Sequence, residues 1–266
     1  MQAVILAAGL SKRLRPLTDE IPKCLLNLGK SNLLHMTIEN VLMNGIDEFV
    51  IVTGFKENLI KNYVNDVIMK LFPDTKIQLL SNQDYAKNNN SFSLWLTKKF
   101  ISSDILLLDS DILFDYRIIK LLLESEHKDC ISVNYTDKLD KEQIKVETDK
   151  KKRILKIGKD VDISKAVGES IGIEKFDYRT MKIMFEILER KIVKEKNVNE
   201  FYEVTFQEMI DADKTAGFFS VDISDYNCIE IDTIEDYENA GLMLNSTLSG
   251  ITRSQTGNVN LLDNKL

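Results

Sequence analysis

The chain opens on an unbroken apolar run, "AVILA", and the same texture returns at "EFVIVTG", "KIQLLS" and "DILLLDSD". Short β-branched runs without polar alternation predict strands buried on both faces. Between them the period changes to that of a helix. Leu34, Ile38, Val41 and Leu42 share one face of a segment from Ser31 to Asn44, and Gly45 follows as a C-cap. Glu57 to Leu71, just ahead of Pro73, and about Ser91 to Phe100 predict two more helices. Strands alternating with helices imply βαβ units and a mainly parallel, doubly wound α/β sheet.

After Cys130 the pattern changes. "CISVNY", "IKVETD", "RILKIG" and "ESIGIEKF" follow one another at hairpin-like spacing. A helix from about Tyr178 to Lys194 carries Met181, Met184, Phe185 and Leu188 on one face, and another spans roughly Glu203 to Asp211. "GFFSVDI" and "CIEID" return to strand, and a last helix covers about Ile234 to Leu244. Residues 246–266 are polar and Ser/Thr/Asn-rich, which predicts a tail of low order. The expectation is one α/β domain over residues 1–245, with an open Rossmann-like sheet and an inserted antiparallel segment.

Composition narrows the partners. The 266 residues are 44% hydrophobic and 29% charged, ordinary values for a globule, and the net charge of -7 argues against nucleic acid or an anionic membrane as the main partner. No leader-like segment or membrane-length apolar run is evident, so the cytoplasm is the expected location. Cys24, Cys130 and Cys228 lie far apart and read as reduced thiols, while His35 and His127 read as helix-surface residues without a role.

Against that acidic background, "LAAGLSKRLRPLTDEIPK" gathers Lys12, Arg13, Arg15 and Lys23 in an irregular loop after the first strand. Ligands of an open parallel sheet sit at this carboxyl edge. Gly9 lets backbone N–H groups approach a ligand, and cations suit a polyphosphate. Neither GxxxxGK[ST] nor GxGxxG is present. Spacing alone leaves a phosphate-binding loop and a solvated basic loop held by Pro16 and Pro22 equally open.

Two further places carry chemistry. "LLLDSD" ends a strand with Asp109 and Asp111 two apart, hence on the same side: hard oxygen ligands for Mg²⁺, or simply a polar strand end. In "IEIDTIEDYENA", Thr233 and Asp236 already have the form of a capping box, which leaves Asp232 free at the strand end.

The opening loop resembles the signature LAAGxGxRxxPLTxxxPK of the nucleotidyltransferases that activate phosphorylated sugars and alcohols. Leu6, Ala7, Ala8, Gly9, Arg13, Pro16, Leu17, Thr18, Pro22 and Lys23 fit it, and Ser11 stands where many members have glycine. The resemblance implies that the Leu6–Gly9 segment holds base and phosphates, that Arg13 and Lys23 neutralise the phosphates, and that Asp111 ligates Mg²⁺. Lys12 and Arg15 have weaker claims. Asp232 matches the second metal ligand in the family pattern "IDTPEDL", with Ile234 in place of proline. Lys159 in "ILKIGKD" falls where relatives set a lysine against the acceptor phosphate, although an exposed strand-end lysine reads the same way.

"YAKNNNSFSLW" departs from the sugar-phosphate members. Asn89, Asn90, Ser93 and Leu94 resemble the "NNxxSL" of phosphocholine and 2-aminoethylphosphonate cytidylyltransferases. Asn90 and Ser93, with Asp109, are thereby assigned to the nucleotide, while Asn90 also suits the cap of the following helix. "GESIG" (Glu169, Gly172) and "FYEVTF" (Tyr202, Glu203) are similar to acceptor-side segments, with Tyr202 as an aromatic face and Glu203 as a carboxylate for a cationic head group. Asp84, Tyr85 and Trp95 compete for that role, Trp95 sitting at core spacing. The resemblance as a whole implies a Mg²⁺-dependent enzyme transferring CMP from CTP to a small phosphorylated amine or alcohol. A sugar-1-phosphate nucleotidyltransferase, a DxD glycosyltransferase and a non-catalytic nucleotide-binding regulator are the alternatives.

Overall fold

Strand Gln2–Ala7 is buried along its whole length because its alternate side chains feed two different cores. Val4 and Leu6 pack with Phe176, Met184 and Phe206 on one side of the sheet. Ala3 and Ile5 pack with Leu34, Ile38, Ile60 and Ile118 on the other. A computed structural model describes residues 1–212 and 217–254. Among them nine strands form one sheet. Its parallel half runs Ile105–Asp109, Gln2–Ala7, Glu48–Thr53, Lys76–Ser81. Beyond Ile105–Asp109 the long strand Gly168–Phe176 joins antiparallel and carries the inserted hairpin Lys145–Thr148 and Ile154–Gly158. Cys130–Tyr135 also pairs with Gly168–Phe176, and Phe219–Asp222 closes beside it in parallel. The open, mainly parallel α/β sheet with an antiparallel insertion is therefore as the hydrophobic pattern predicts.

Caps locate the helices more finely than periodicity does. The first runs Leu33–Met43, because Asn32 Oδ1 accepts from the His35 N–H and Gly45, at φ 77, ends it. The second, Glu57–Tyr63, continues through a π turn at Val64–Ile68 to Leu71. The third is Asn90–Leu96, and the fifth, Tyr178–Glu189, also ends in a π turn. The last helix extends to Ser254 instead of stopping at Leu244, with no proline to break it. The first nine residues of the expected low-order tail are thus helical, and residues 255–266 lie outside the described residues. No helix among the described residues is long and apolar enough to cross a membrane.

A third, smaller cluster does the positioning. Leu14, Leu28, Leu33, Leu113, Ile231 and Ala240 pack together beneath the opening loop. Leu14 and Ile231 are chain neighbours of Arg13 and Asp232, so the packing of these apolar residues sets where the charges stand. Leu14 is fully buried. Leu14→Ala is expected to lower unfolding free energy by roughly 2–5 kcal/mol, read from urea denaturation. A loss below about 1 kcal/mol would mean that the cluster collapses around the cavity and does not hold the loop.

Candidate active site

The opening loop turns over the carboxyl edge of the parallel strands. Ser11 adopts φ 47 and ψ 48, the left-handed region that glycine occupies without strain, which explains physically why glycine suits this position. Thr18 Oγ1 donates to Ser11 O at 2.8 Å and pins the turn. A Cβ built on Gly9 would meet nothing within 4 Å, so the glycine borders open cleft rather than packed protein.

Lys23 is the buried hinge of the charge arrangement. Its Nζ lies 2.8 Å from Asp111 Oδ2 and 2.8 Å from Asp232 Oδ1. Burial disfavours its charge, but the two carboxylates outweigh that and hold its pKa above the usual lysine value. Arg13, largely exposed, reaches the other oxygen of Asp232 at 2.5 Å. Burial alone would raise the Asp232 pKa; the charges of Lys23 and Arg13 bring it below the ordinary value. The capping box forms as its residues predict: Thr233 Oγ1 accepts from the Asp236 N–H at 3.2 Å, and Asp236 Oδ2 accepts from the Thr233 N–H at 2.8 Å. Asp232 is thereby spared from capping. Arg15 turns outward onto Asp19, 3.3 Å away.

Sequence reasoning missed Glu230. Strand Cys228–Glu230 pairs antiparallel with Ile112–Phe114, setting Glu230 opposite Ile112 beside Asp111. One oxygen from each of Asp111, Glu230 and Asp232 lies within 4.8 Å of the others. The Glu230 residue keeps an exposed surface, yet desolvation of its carboxyl, then the charges of Asp111 and Asp232, push that carboxyl up to about 8. Asp111 Oδ1 is buried and has no hydrogen-bond partner. An orphaned oxygen among three converging carboxylates fits a hard divalent cation, which takes oxygen ligands. The available signal was Glu230 itself, two residues before Asp232 in "CIEID", a pattern that as an extended segment puts both on one side.

Asp109 and Asp111 part company. The strand ends at Asp109, a turn follows, and Asp109 Oδ2 instead accepts from the Tyr202 hydroxyl at 2.9 Å. Burial, with the charges of Asp111 and Glu203, raises its carboxyl well above the usual range. Gly172, at φ 69, makes room, since a Cβ there would come within 2.5 Å of Asp109 Oδ2.

These groups line one cleft of about 730 Å³, together with Leu6, Ala7, Ala8, Asn90, Ser93, Lys159, Glu169 and Glu203. Two expectations need correction there. Tyr202 is fully buried against Phe206, so it offers no aromatic face to a ligand; its helix turns the ring into the core. Phe201, its neighbour, lines the cleft in its place. Asn90 does not cap its own helix, because Asn89 does. Its Oδ1 instead accepts from the Tyr202 N–H at 2.9 Å, capping helix Tyr202–Ala212 from across the cleft wall. Ser93, also buried, accepts from Asn82 Nδ2 at 3.0 Å.

At the far end, Lys159 pairs with Glu142 at 3.2 Å and lies 5.1 Å above the Phe201 ring. Glu169 accepts from Gln143 Nε2. Glu203 is buried with Oε2 unpartnered, and that burial pushes its carboxyl up to about 7. The three cysteines are free, and burial pushes the Cys24 thiol up to about 12, which leaves no nucleophile there. Trp95 packs against the core, its indole N–H donating to Glu189 at 2.8 Å.

Known proteins share this arrangement of elements. The nucleotidyl transferase family profile matches residues 2–157. The CTP:phosphoglutamine cytidylyltransferase of Campylobacter jejuni is 26% identical over 260 residues, covering 90% of this chain and 98% of that protein. The choline-phosphate cytidylyltransferase of Streptococcus pneumoniae is 26% identical over 239 residues, covering 89% and 95%. Among solved structures, the inositol-1-phosphate CTP transferase from T. maritima superposes with a TM-score of 0.72 at 22% identity, covering 90% and 94%. A profile match across the first strand, the cationic loop and Asp109–Asp111, on a chain that folds as these enzymes do, places this protein in the nucleotidyl transferase family.

Proposed function

We propose that the protein is a divalent-cation-dependent cytidylyltransferase, joining CMP from CTP to a small phosphorylated or phosphonate acceptor and releasing pyrophosphate. The observation that carries this reading is the single charge cluster of Arg13, Lys23, Asp111, Glu230 and Asp232 at the mouth of the glycine-bordered loop. Two cytidylyltransferases that this chain matches along nearly their whole length support the choice of base.

The chemistry needs alignment more than activation. The acceptor phosphate is already anionic, so one of its oxygens attacks the α-phosphorus in line without a general base. A new P–O bond forms, and the bond to the β-phosphate oxygen breaks with its electron pair leaving on pyrophosphate. Leu6, Ala7, Ala8 and Gly9, with Ser93 beyond, border the space for base and sugar. Arg13 and Lys23 stand where negative charge grows on the departing group. Lys159 would take the acceptor phosphate once it exchanges its exposed partner Glu142 for it. Asp111 and Asp232, with Glu230 beside them, would hold Mg²⁺, which when bound supplies further charge neutralisation at the phosphates.

The test is a matrix of ATP, CTP, GTP and UTP against phosphoethanolamine, phosphocholine, 2-aminoethylphosphonate and glucose 1-phosphate, read as pyrophosphate release. CTP is expected to be the preferred triphosphate, and EDTA to abolish turnover. Turnover confined to UTP or GTP with glucose 1-phosphate would replace this reading with a sugar-1-phosphate nucleotidyltransferase, and undiminished activity in EDTA would remove the cation.

A further inference from the structure

We infer that the acceptor carries an ammonium group that still bears N–H bonds, a primary amine rather than a quaternary one, and that Glu203 receives it. The inference rests on the cytidylyl-transfer reading above and adds to it the class of acceptor.

The acceptor end of the cleft asks for hydrogen-bond donors. Glu203 is 6% exposed, lines the cleft, and has an Oε2 without a partner. Ser170 Oγ, also buried and bordering the cleft, makes no hydrogen bond of normal geometry, although Glu174 is near. A buried carboxylate oxygen left unpaired is costly, and a ligand N⁺–H is the donor that relieves it with charge as well as geometry. A hydroxyl would satisfy the lone pair but not the charge.

The neighbouring groups point the same way. Asp109, which lines the cleft, and the buried Glu174 are near Glu203, and burial raises both carboxyls well above the usual range and so favours their neutral forms, while Glu169 stands on the cleft wall. Lys159 is the cation that bears on Glu203, and Glu142 already holds it. When Lys159 turns to the acceptor phosphate, the carboxyl groups of Glu203 and Glu169 face the rest of the acceptor.

A quaternary ammonium needs something else. It has no N–H to give and is held by several aromatic faces. Among the described residues lining the cleft, Tyr85 and Phe201 are the aromatic side chains. Tyr85 stacks edge-on with Phe55 beside the opening loop. Phe201 already carries Lys159 over its ring. Tyr202, which sequence pattern offers as the third ring, is in the core. No cage remains.

The experiment is a methylation ladder with the full chain, CTP and Mg²⁺: phosphoethanolamine, its N-methyl and N,N-dimethyl derivatives, and phosphocholine. Each step removes one N–H and keeps the positive charge. kcat/KM is expected to fall along the ladder by at least about tenfold in total, because a site built to hydrogen-bond an N–H rejects an analogue that lacks it. In Glu203→Gln, which keeps the size of the side chain, the ladder should flatten while the KM for CTP changes little. Calorimetric binding of the same four compounds with unreactive α,β-methylene CTP present reads the preference without turnover. A flat wild-type ladder, or a preference for phosphocholine, overturns the inference. CTP-dependent turnover of glucose 1-phosphate or inositol 1-phosphate, with no binding of any aminated compound, also overturns it and leaves cytidylyl transfer standing. Failure of every acceptor with CTP defeats the broader reading, and the inference falls with it.

Discussion

Replacing Asp111 by asparagine is expected to lower cytidylyl transfer by at least about a hundredfold while the protein stays folded. The expectation follows from the two faces of this carboxylate. Its Oδ2 pairs with Lys23, and its buried Oδ1 has no partner in the protein. Asparagine keeps the shape, but it puts an amide N–H at one of these positions and removes one of the two carboxylate charges that Lys23 holds together. Folding is affected little, because the change also relieves repulsion with Glu230 and Asp232, whose oxygens stand within 4.8 Å. The readouts separate the roles. Added Mg²⁺ should raise the melting temperature of the wild type and do so much less in Asp111→Asn. Equal stabilisation of both proteins by Mg²⁺ would place the cation elsewhere, whatever happened to turnover.

Lys23→Ala is expected to have the second large effect, and it acts on stability as well as rate. Lys23 is nearly buried, and its ammonium is the shared partner of Asp111 and Asp232. Removing it leaves two carboxylates facing each other with Glu230 alongside. Breaking a buried pair costs about 3–5 kcal/mol; here the lower end applies, because both carboxylates are partly open to water. Turnover should fall by about a hundredfold or more, with kcat affected more than KM, since the demand for positive charge grows as pyrophosphate departs. The variant should also depend on Mg²⁺ for stability more than the wild type does, as a divalent cation compensates for the missing ammonium. The pH dependence has a definite sign. Lys23 has a raised pKa, so its contribution is present throughout the neutral range and fades only in strong alkali. Asp232 has a lowered pKa, so its contribution is present above the usual aspartate value and is lost as acid takes the pH through its folded value. The wild type should therefore lose stability on acidification below about pH 4, and Lys23→Ala should lose less there. An unchanged KM/kcat split and unchanged acid sensitivity would reduce Lys23 to a packing residue.

Much of this protein was decided within short stretches of chain. The strand–helix alternation, the C-cap at Gly45 and the Thr233–Asp236 box depend on neighbours a few residues apart, so the pattern of apolar and capping residues is sufficient to read them. The cationic loop with Gly9, Arg13 and Lys23 was legible for the same reason. The charge cluster was not. Glu230 joins Asp111 only because strand Cys228–Glu230 pairs with Ile112–Phe114, a register between segments far apart in sequence that no local propensity specifies. Tyr202 and Phe201 make the point at the other end of the cleft. Adjacent aromatic residues look alike as sequence, yet helix Tyr202–Ala212 buries one ring against Phe206 and leaves the other at the cleft. Asn90, a good cap for its own helix, was taken over by a helix more than a hundred residues away, since the unpaired N–H of Tyr202 lay within reach. Sequence determined the elements and the kinds of charge, because those follow from local period and residue type. Tertiary packing decided which charges meet and which polar atoms remain unpaired, because burial and proximity exist only once distant segments share one core.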